Sequence, residues 1–262
     1  MREGATRNMN KHRLRFYFAG MALVAGILLG VCTGTYAQST PNGFVRSAKT
    51  KSSSVTYVVI PRDGFDIDIF SKEAGEPSDF AGAVQRCAAA KQQVVFAMNG
   101  AKCDKNLKPL GLLIKGLTKY KDFAPGINVF GAAEPGAVFA IDRSNGVSII
   151  PGKHFKAAND LANYRLAIQS GITLISKAFM NPDITRAASR QVCNGIGVKA
   201  NGDVIFAIAD DKMSLHEFAV FFQDLNCRDA MLLDDGTNCQ WYAPGSEKKP
   251  GKLGEILVVI KK

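Results

Sequence analysis

The chain has 262 residues, enough for one or two domains with a sizeable core. Apolar residues make up 47% and charged residues 21%, which excludes a largely disordered chain. A formal charge of +10 points to a polyanionic partner, such as nucleic acid, anionic membrane or phosphorylated substrate, unless the charge lies outside the working domain.

Part of the charge does lie at the start. Residues 11–15 read KHRLR and residues 16–31 read FYFAGMALVAGILLGV, a basic cluster followed by a short apolar run, as in a secretory signal. The run is shorter than the ~20 residues a membrane-spanning helix needs. TGTYAQS then offers cleavage after Ala37, with Thr35 and Ala37 at the small-residue positions. An uncleaved anchor is one alternative. A lipid on Cys32 is another, since LLGVC loosely matches a lipoprotein signal, although Val31 is a poor residue before a lipidated cysteine. Residues 1–37 are thus expected to be a signal peptide and the protein to be exported, periplasmic or secreted, meeting a membrane only through a lipidated Cys32. Five basic residues and one acid leave with this segment, lowering +10 by four to +6.

Five cysteines remain: Cys87, Cys103, Cys193, Cys227 and Cys239. An exported compartment permits disulfides, and an odd number leaves one thiol over or paired between chains. No CxxC spacing occurs, and only His154 and His216 lie beyond the signal, which argues against zinc.

Residues 38–54, QSTPNGFVRSAKTKSSS, read as a polar linker. VTYVVI (55–60), the turn PRDG and the alternating FDIDIF (65–70) read as a hairpin. A helix follows, capped by Ser78, with Phe80, Ala83, Val84, Cys87 and Ala88 on one stripe. VVFAMN (94–99) is a short buried strand, and LGLLIK, AVFAI, VSII, RLAIQ and ITLI add more. GIGVK and VIFAIA flank Ala200–Asn201–Gly202–Asp203 as a hairpin. A second helix starts near Ser214, with Leu215, Phe218, Ala219, Phe222 and Leu225 on one face. AMLLD (230–234) and EILVVI (255–260) complete the set. The pattern predicts an α+β fold: a mixed, largely antiparallel twisted sheet with two or three packed helices, in one domain over residues 55–262.

Several strands end in polar residues: Asn99, Gln169–Ser170, Asp210–Asp211 and Asp234–Asp235. A rigid sheet aims such residues at a ligand, but Asn-Gly and Asp-Gly pairs also simply make turns. Ser214 and Glu217 form a capping-box pattern. The positive helix end favours ionised Glu217 and would equally favour a ligand phosphate.

Four segments together carry a resemblance: FAMNGAKCDKNLKPLGLLI (96–114), AIQSGITLI (167–175), SRQVCNGIGVKANGDVIFAIADDKMSLHEFAVFFQDLNCRDAMLLDDG (189–236) and WYAPGS (241–246). In order and spacing they resemble the phosphodiester glycosidase family, over about residues 55–262. The resemblance implies an exported hydrolase that cleaves a sugar-1-phosphodiester in glycan or cell-envelope polymer metabolism. The implied partner is a carbohydrate phosphodiester, not nucleic acid. Asn99 and Gly100 match the family's Asn-Gly turn, with Asp104 an acidic position beyond it and Gly111 the start of a Gly-Leu strand. Gln169, Ser170 and Gly171 match a Q-S-G motif. Arg190, Asn194, Gly195 and Gly197 match an S-R-x-x-R-N-G-x-G pattern. Asp210, Ser214, Glu217 and Phe218 match the strand end and helix start, and Asp234 the acid of L-D-G-G.

By that resemblance Asp234, Glu217 and Asp210 are the candidate catalytic carboxylates. Arg190 is the candidate phosphate ligand, and Asn99, Gly100, Gln169, Ser170 and Asn194 are candidate substrate contacts. No metal is required, although two of the carboxylates offer hard oxygen ligands for Ca²⁺ as an alternative. The chain departs from the pattern at Lys102 and Cys103, at Ile172, at Cys193 in place of the second arginine, at Asp235 in place of a glycine, and at Thr237–Asn238–Cys239. Losing one arginine weakens a phosphate clamp, for which Lys102 could compensate. Two of Cys103, Cys193 and Cys239 could bridge. The departures also leave open a saccharide- or cell-wall-polymer-binding protein without catalysis on the same scaffold.

Overall fold

The computed structural model describes residues 38–39, 44–126, 136–155, 162–186, 189–248 and 251–262. The expected signal peptide, its cleavage point and Cys32 lie outside the described residues. Among the described residues there are two α-helices, Phe80–Ala89 and Leu215–Asp224, and three main sheets. Every described pairing in the main sheets is antiparallel, so the α+β class stands and the expected mixed sheet is antiparallel here.

The largest sheet has eight strands. Val204–Ala209 and Cys193–Lys199 pair at its middle, flanked by Ser54–Ile60 and Cys227–Asp235. VIFAIA is an unbroken apolar run and is buried on both faces, as such runs require. One face sends Ile196, Phe206, Ile208, Met231 and Leu233 into a core shared with Phe96 and Met98 of one five-stranded sheet and Phe139 and Ile168 of the other. The main core therefore sits where the sheets meet.

The opposite face of the large sheet carries the helix Leu215–Asp224. Leu215, Phe218, Ala219, Phe221 and Phe222 are buried there, each large side chain contributing roughly 1.5–3 kcal/mol. The G-x-G spacing beneath it has a packing cause. A Cβ on Gly195 would lie 3.0 Å from Phe218, and one on Gly197 only 2.6 Å from Phe222. These glycines let the aromatic face of the helix approach the strand. The helix Phe80–Ala89 covers a five-stranded sheet with Phe80, Ala83 and Cys87, so Cys87 is core.

Three expectations are corrected. Residues 55–60 and 65–70 are not a hairpin: Ser54–Ile60 pairs with Arg46–Lys49 and Val204–Ala209, whereas Phe65–Ser71 pairs with Glu255–Lys261 in another sheet. Alternation tells which side chains are buried, not which strand lies alongside. The segment 38–54 is not wholly linker, because Arg46–Lys49 forms a strand and buries Ala48. The first helix is capped by Asp79 rather than Ser78, the Asp79 carboxylate accepting from Gly82 N at 2.7 Å.

Candidate functional site

The strand Gln93–Asn99 ends where two sheets converge, and Asn99 ties them together. Its Oδ1 accepts from Asn194 Nδ2 and Gln240 N, both at 3.0 Å, and Asn194 Nδ2 also donates to the Asn99 carbonyl. Asn194 Oδ1 accepts from Asp234 N at 2.9 Å. Asn194 thus links Asn99 to the Asp234 backbone, with both ends of its amide engaged.

A register shift places Asp234 there. Gly195 faces Leu232 while Asn194 faces Asp234, so one extra residue is accommodated on the Cys227–Asp235 strand. Such a bulge re-aims a side chain at a sheet end. Asp234 is 3% exposed. Burial pushes its carboxyl up to about 6, neighbouring Asp235 adding to the rise. The Asp235 N–H, 2.8 Å from Asp234 Oδ1, together with Lys102 and Asn238 opposes it.

The cation at this turn is Lys102. Its Nζ lies 2.5 Å from Asp235 Oδ1, with both side chains partly buried. Two departures from the family pattern therefore meet each other. Lys102 N donates to Ser170 Oγ at 3.0 Å, and Ser170 Oγ donates to the Leu233 carbonyl. Ser170 fixes the lysine's backbone beside the bulge and has both roles of its hydroxyl engaged.

Gln169 does other work than the expected sugar contact. Its Oε1 accepts from Leu112 N and Ala124 N at 3.2 and 2.9 Å, and its Nε2 donates to Ala124 O at 2.6 Å. A fully buried amide among backbone groups is a brace. Asp104 accepts from Asn106 N and Lys108 N and so builds the turn beyond the site.

Glu255 is the residue that sequence reasoning missed. It opens the strand Glu255–Lys261 and is 1% exposed. Its Oε2 accepts from Ala101 N at 3.0 Å, and its carbonyl accepts from Gly100 N at 2.9 Å. A Cβ on Gly100 would lie 2.8 Å from Glu255 Cβ, so glycine is needed for the strand to pass. Burial pushes the Glu255 carboxyl up to about 7, and Asp234 adds to the rise. The available signal was a lone acid opening an otherwise unbroken apolar strand, EILVVI.

A second cluster lies at the start of the helix Leu215–Asp224. Ser214 Oγ accepts from Glu217 N at 3.1 Å, which is half of the expected capping box. The Glu217 carboxylate turns instead to Thr50 Oγ1 at 2.8 Å, Ser52 N at 2.6 Å and Ser52 Oγ. Burial raises its pKa, but these hydrogen bonds and Arg190 outweigh that and hold it below the usual carboxylate range. Arg190 lies 3.5 Å from Glu217 and donates to the Lys212 carbonyl, with its guanidinium half exposed. Asp210, exposed, accepts from Thr56 Oγ1 at 3.0 Å. Glu217 thus anchors the 50–53 turn rather than sitting free for water activation.

Cys103 and Cys193 are thiols. Burial, then Glu255, Asp234 and Asp104, keep Cys103 protonated, while burial, Asp235 and Glu217 do so for Cys193. Cys239 Sγ lies 3.7 Å from the Val192 carbonyl and 3.9 Å from Asn194 Oδ1. No group of three or more His, Cys, Asp or Glu among the described residues is arranged to hold a metal ion.

The scaffold is a sheet-rich α+β fold with a buried acid carried on a bulge. The model of the phosphodiester glycosidase family matches residues 92–259, well over half of the chain. The chain belongs to that family. An Escherichia coli (strain K12) relative, "Uncharacterized protein YigE", is 31% identical over 156 residues, 58% of this chain and 59% of that one, so the match spans less than two thirds of the relative. Among solved structures, the zebrafish N-acetylglucosamine-1-phosphodiester alpha-N-acetylglucosaminidase catalytic domain, auto-inhibited by its pro-peptide, superposes with a TM-score of 0.57. It shares 15% identity over 87% of this chain and 82% of its own. A hypothetical Synechocystis protein superposes with a TM-score of 0.54 at 14% identity, over 83% and 61% of the two chains. At these identities the likeness is one of fold.

Proposed function

We propose that the protein hydrolyses a sugar-1-phosphodiester, with Asp234 as its principal carboxylate. The observation that carries this reading is the buried Asp234, its backbone held by Asn194, which Asn99 holds in turn, and its carboxyl influenced by Lys102, in a chain of this family. The reaction breaks the bond between the anomeric carbon and the phosphate oxygen and adds water, giving free sugar and a phosphate monoester. Positive charge develops at the anomeric carbon, and an ionised Asp234 stabilises it. The phosphate monoester leaves readily without strong acid assistance, and Lys102 supplies the nearest positive charge. With Asp234 titrating at about 6, the carboxylate form is present above that pH, so turnover rises as pH passes through it. Arg190 is left as a half-exposed cation for a more distant part of the substrate. The substrate would be an envelope or extracellular glycan phosphodiester, met after export through residues 1–37.

Release of free sugar from a panel of sugar-1-phosphodiesters tests the reading. A second reading, saccharide binding without turnover, draws on the Lys102–Asp235 pair, which occupies the cation a phosphate needs. Binding to the panel without product would favour it.

A further inference from the structure

The Asn99–Lys102 turn has an acid on each side. Glu255 reaches it from one strand, through Ala101 N and the close approach of Gly100. The Asp234 bulge reaches it from another, through Asn194 to Asn99 and through Ser170 to Lys102. Glu255 is almost wholly enclosed, yet its Oε1 has no hydrogen-bond partner. A buried, ionised carboxylate left so costs far more than a neutral carboxyl in the same place.

We propose that Glu255 is a positioning residue of this site: it keeps its proton over the pH range in which Asp234 ionises, so that the charge of the pair rests on Asp234. Two acids that repel each other in a water-poor site do not both ionise, so the pair titrates as a unit. The pushes on both groups agree, since each is raised, chiefly by burial, and Asp234 adds to the rise in Glu255. The other charged or titratable groups facing the pair are Lys102 and Asp235 at the bulge and Cys103 on the turn, with Asp104 beyond it. Cys103 stays protonated, so it does not hold the pair's charge. The role of Asp234 in turnover rests on the proposed hydrolysis; the shared titration does not.

The test is Glu255→Gln in the full chain, which keeps the shape and an acceptor for Ala101 N but cannot ionise. Carboxyl carbon-13 NMR then follows Asp234 as pH is varied. The expected result is that Asp234 titrates as in the parent, because glutamine reproduces the neutral Glu255. If turnover is measurable, its acid limb stays in place. A fall of about one unit in the Asp234 titration would show that Glu255 was charged while Asp234 titrated, and overturns the proposal whatever the turnover. Asp234→Asn is the companion test: with the neighbouring charge removed, Glu255 must titrate lower than in the parent, and an unmoved titration overturns the proposal. Absence of turnover in the parent would count against hydrolysis while the NMR readout still decides this point.

Discussion

At the residue scale, the site turns on Lys102 and Asp235. Their contact is close, but both side chains retain access to water, so the pair contributes at most about 1 kcal/mol. Its larger consequence is for ligands, because Asp235 acts as an internal anion on the lysine. Asp235→Asn is expected to tighten binding of inorganic phosphate roughly fivefold, the equivalent of about 1 kcal/mol, with little change in melting temperature. Titration calorimetry reads the affinity, and Lys102→Ala should abolish the gain. Equal affinity in the parent and Asp235→Asn would show that Asp235 does not mask Lys102. The sequence marked both positions as departures from the pattern, but it could not show that they meet, since 133 residues separate them. Glu255 escaped for a related reason. Its burial depends on Gly100 lacking a side chain and on Ala101 offering an N–H, and neither fact belongs to its own strand.

At the element scale, the helix Leu215–Asp224 and the 50–53 turn are one device. Ser214 caps the helix, and Glu217 ties the turn to its first residues. Ser214→Ala is expected to cost about 1 kcal/mol in urea denaturation. The pH sign for Glu217 follows from its lowered pKa. Its stabilisation is present above the ordinary carboxylate value and is lost as pH falls through the lower, folded value. Glu217→Gln should therefore flatten the decline in melting temperature on acidification below about pH 4.5, where the parent loses this contribution. An equally steep acid decline in the variant would remove Glu217 from that role. The cap was legible because Ser and Glu stand three apart before an apolar stripe. The tie to Thr50 and Ser52 was not, because a Ser/Thr-rich stretch reads as linker until a strand beside it pairs. The hairpin expected at 55–70 failed likewise, its buried faces being legible and its partners not.

At the scale of the whole molecule, a mildly basic domain sits behind a segment expected to direct export. If residues 1–37 act as a signal, the full-length chain expressed in a bacterium should be recovered with residue 38 at its N-terminus, outside the cytoplasm. Mass spectrometry of the mature protein decides between this, an intact chain and a lipid on Cys32. The α+β class was legible from many short strands and two amphipathic helices. The convergence of three sheets on one turn was not, because long-range register leaves no mark within any single segment. The bulge at Leu233–Asp234 is the sharpest case: the sequence DD reads as a turn, and only pairing with Asn194 shows where the first acid stands.

The central claim is hydrolysis at the anomeric carbon with Asp234 as the working carboxylate. Its most direct test is release of free sugar from a sugar-1-phosphodiester by the parent and by Asp234→Asn, across pH 4 to 8. The account predicts turnover in the parent that rises through about pH 6, and a loss of roughly 10²–10⁴-fold in the folded variant. Turnover undiminished in Asp234→Asn, or no turnover of any diester by the folded parent, would contradict it.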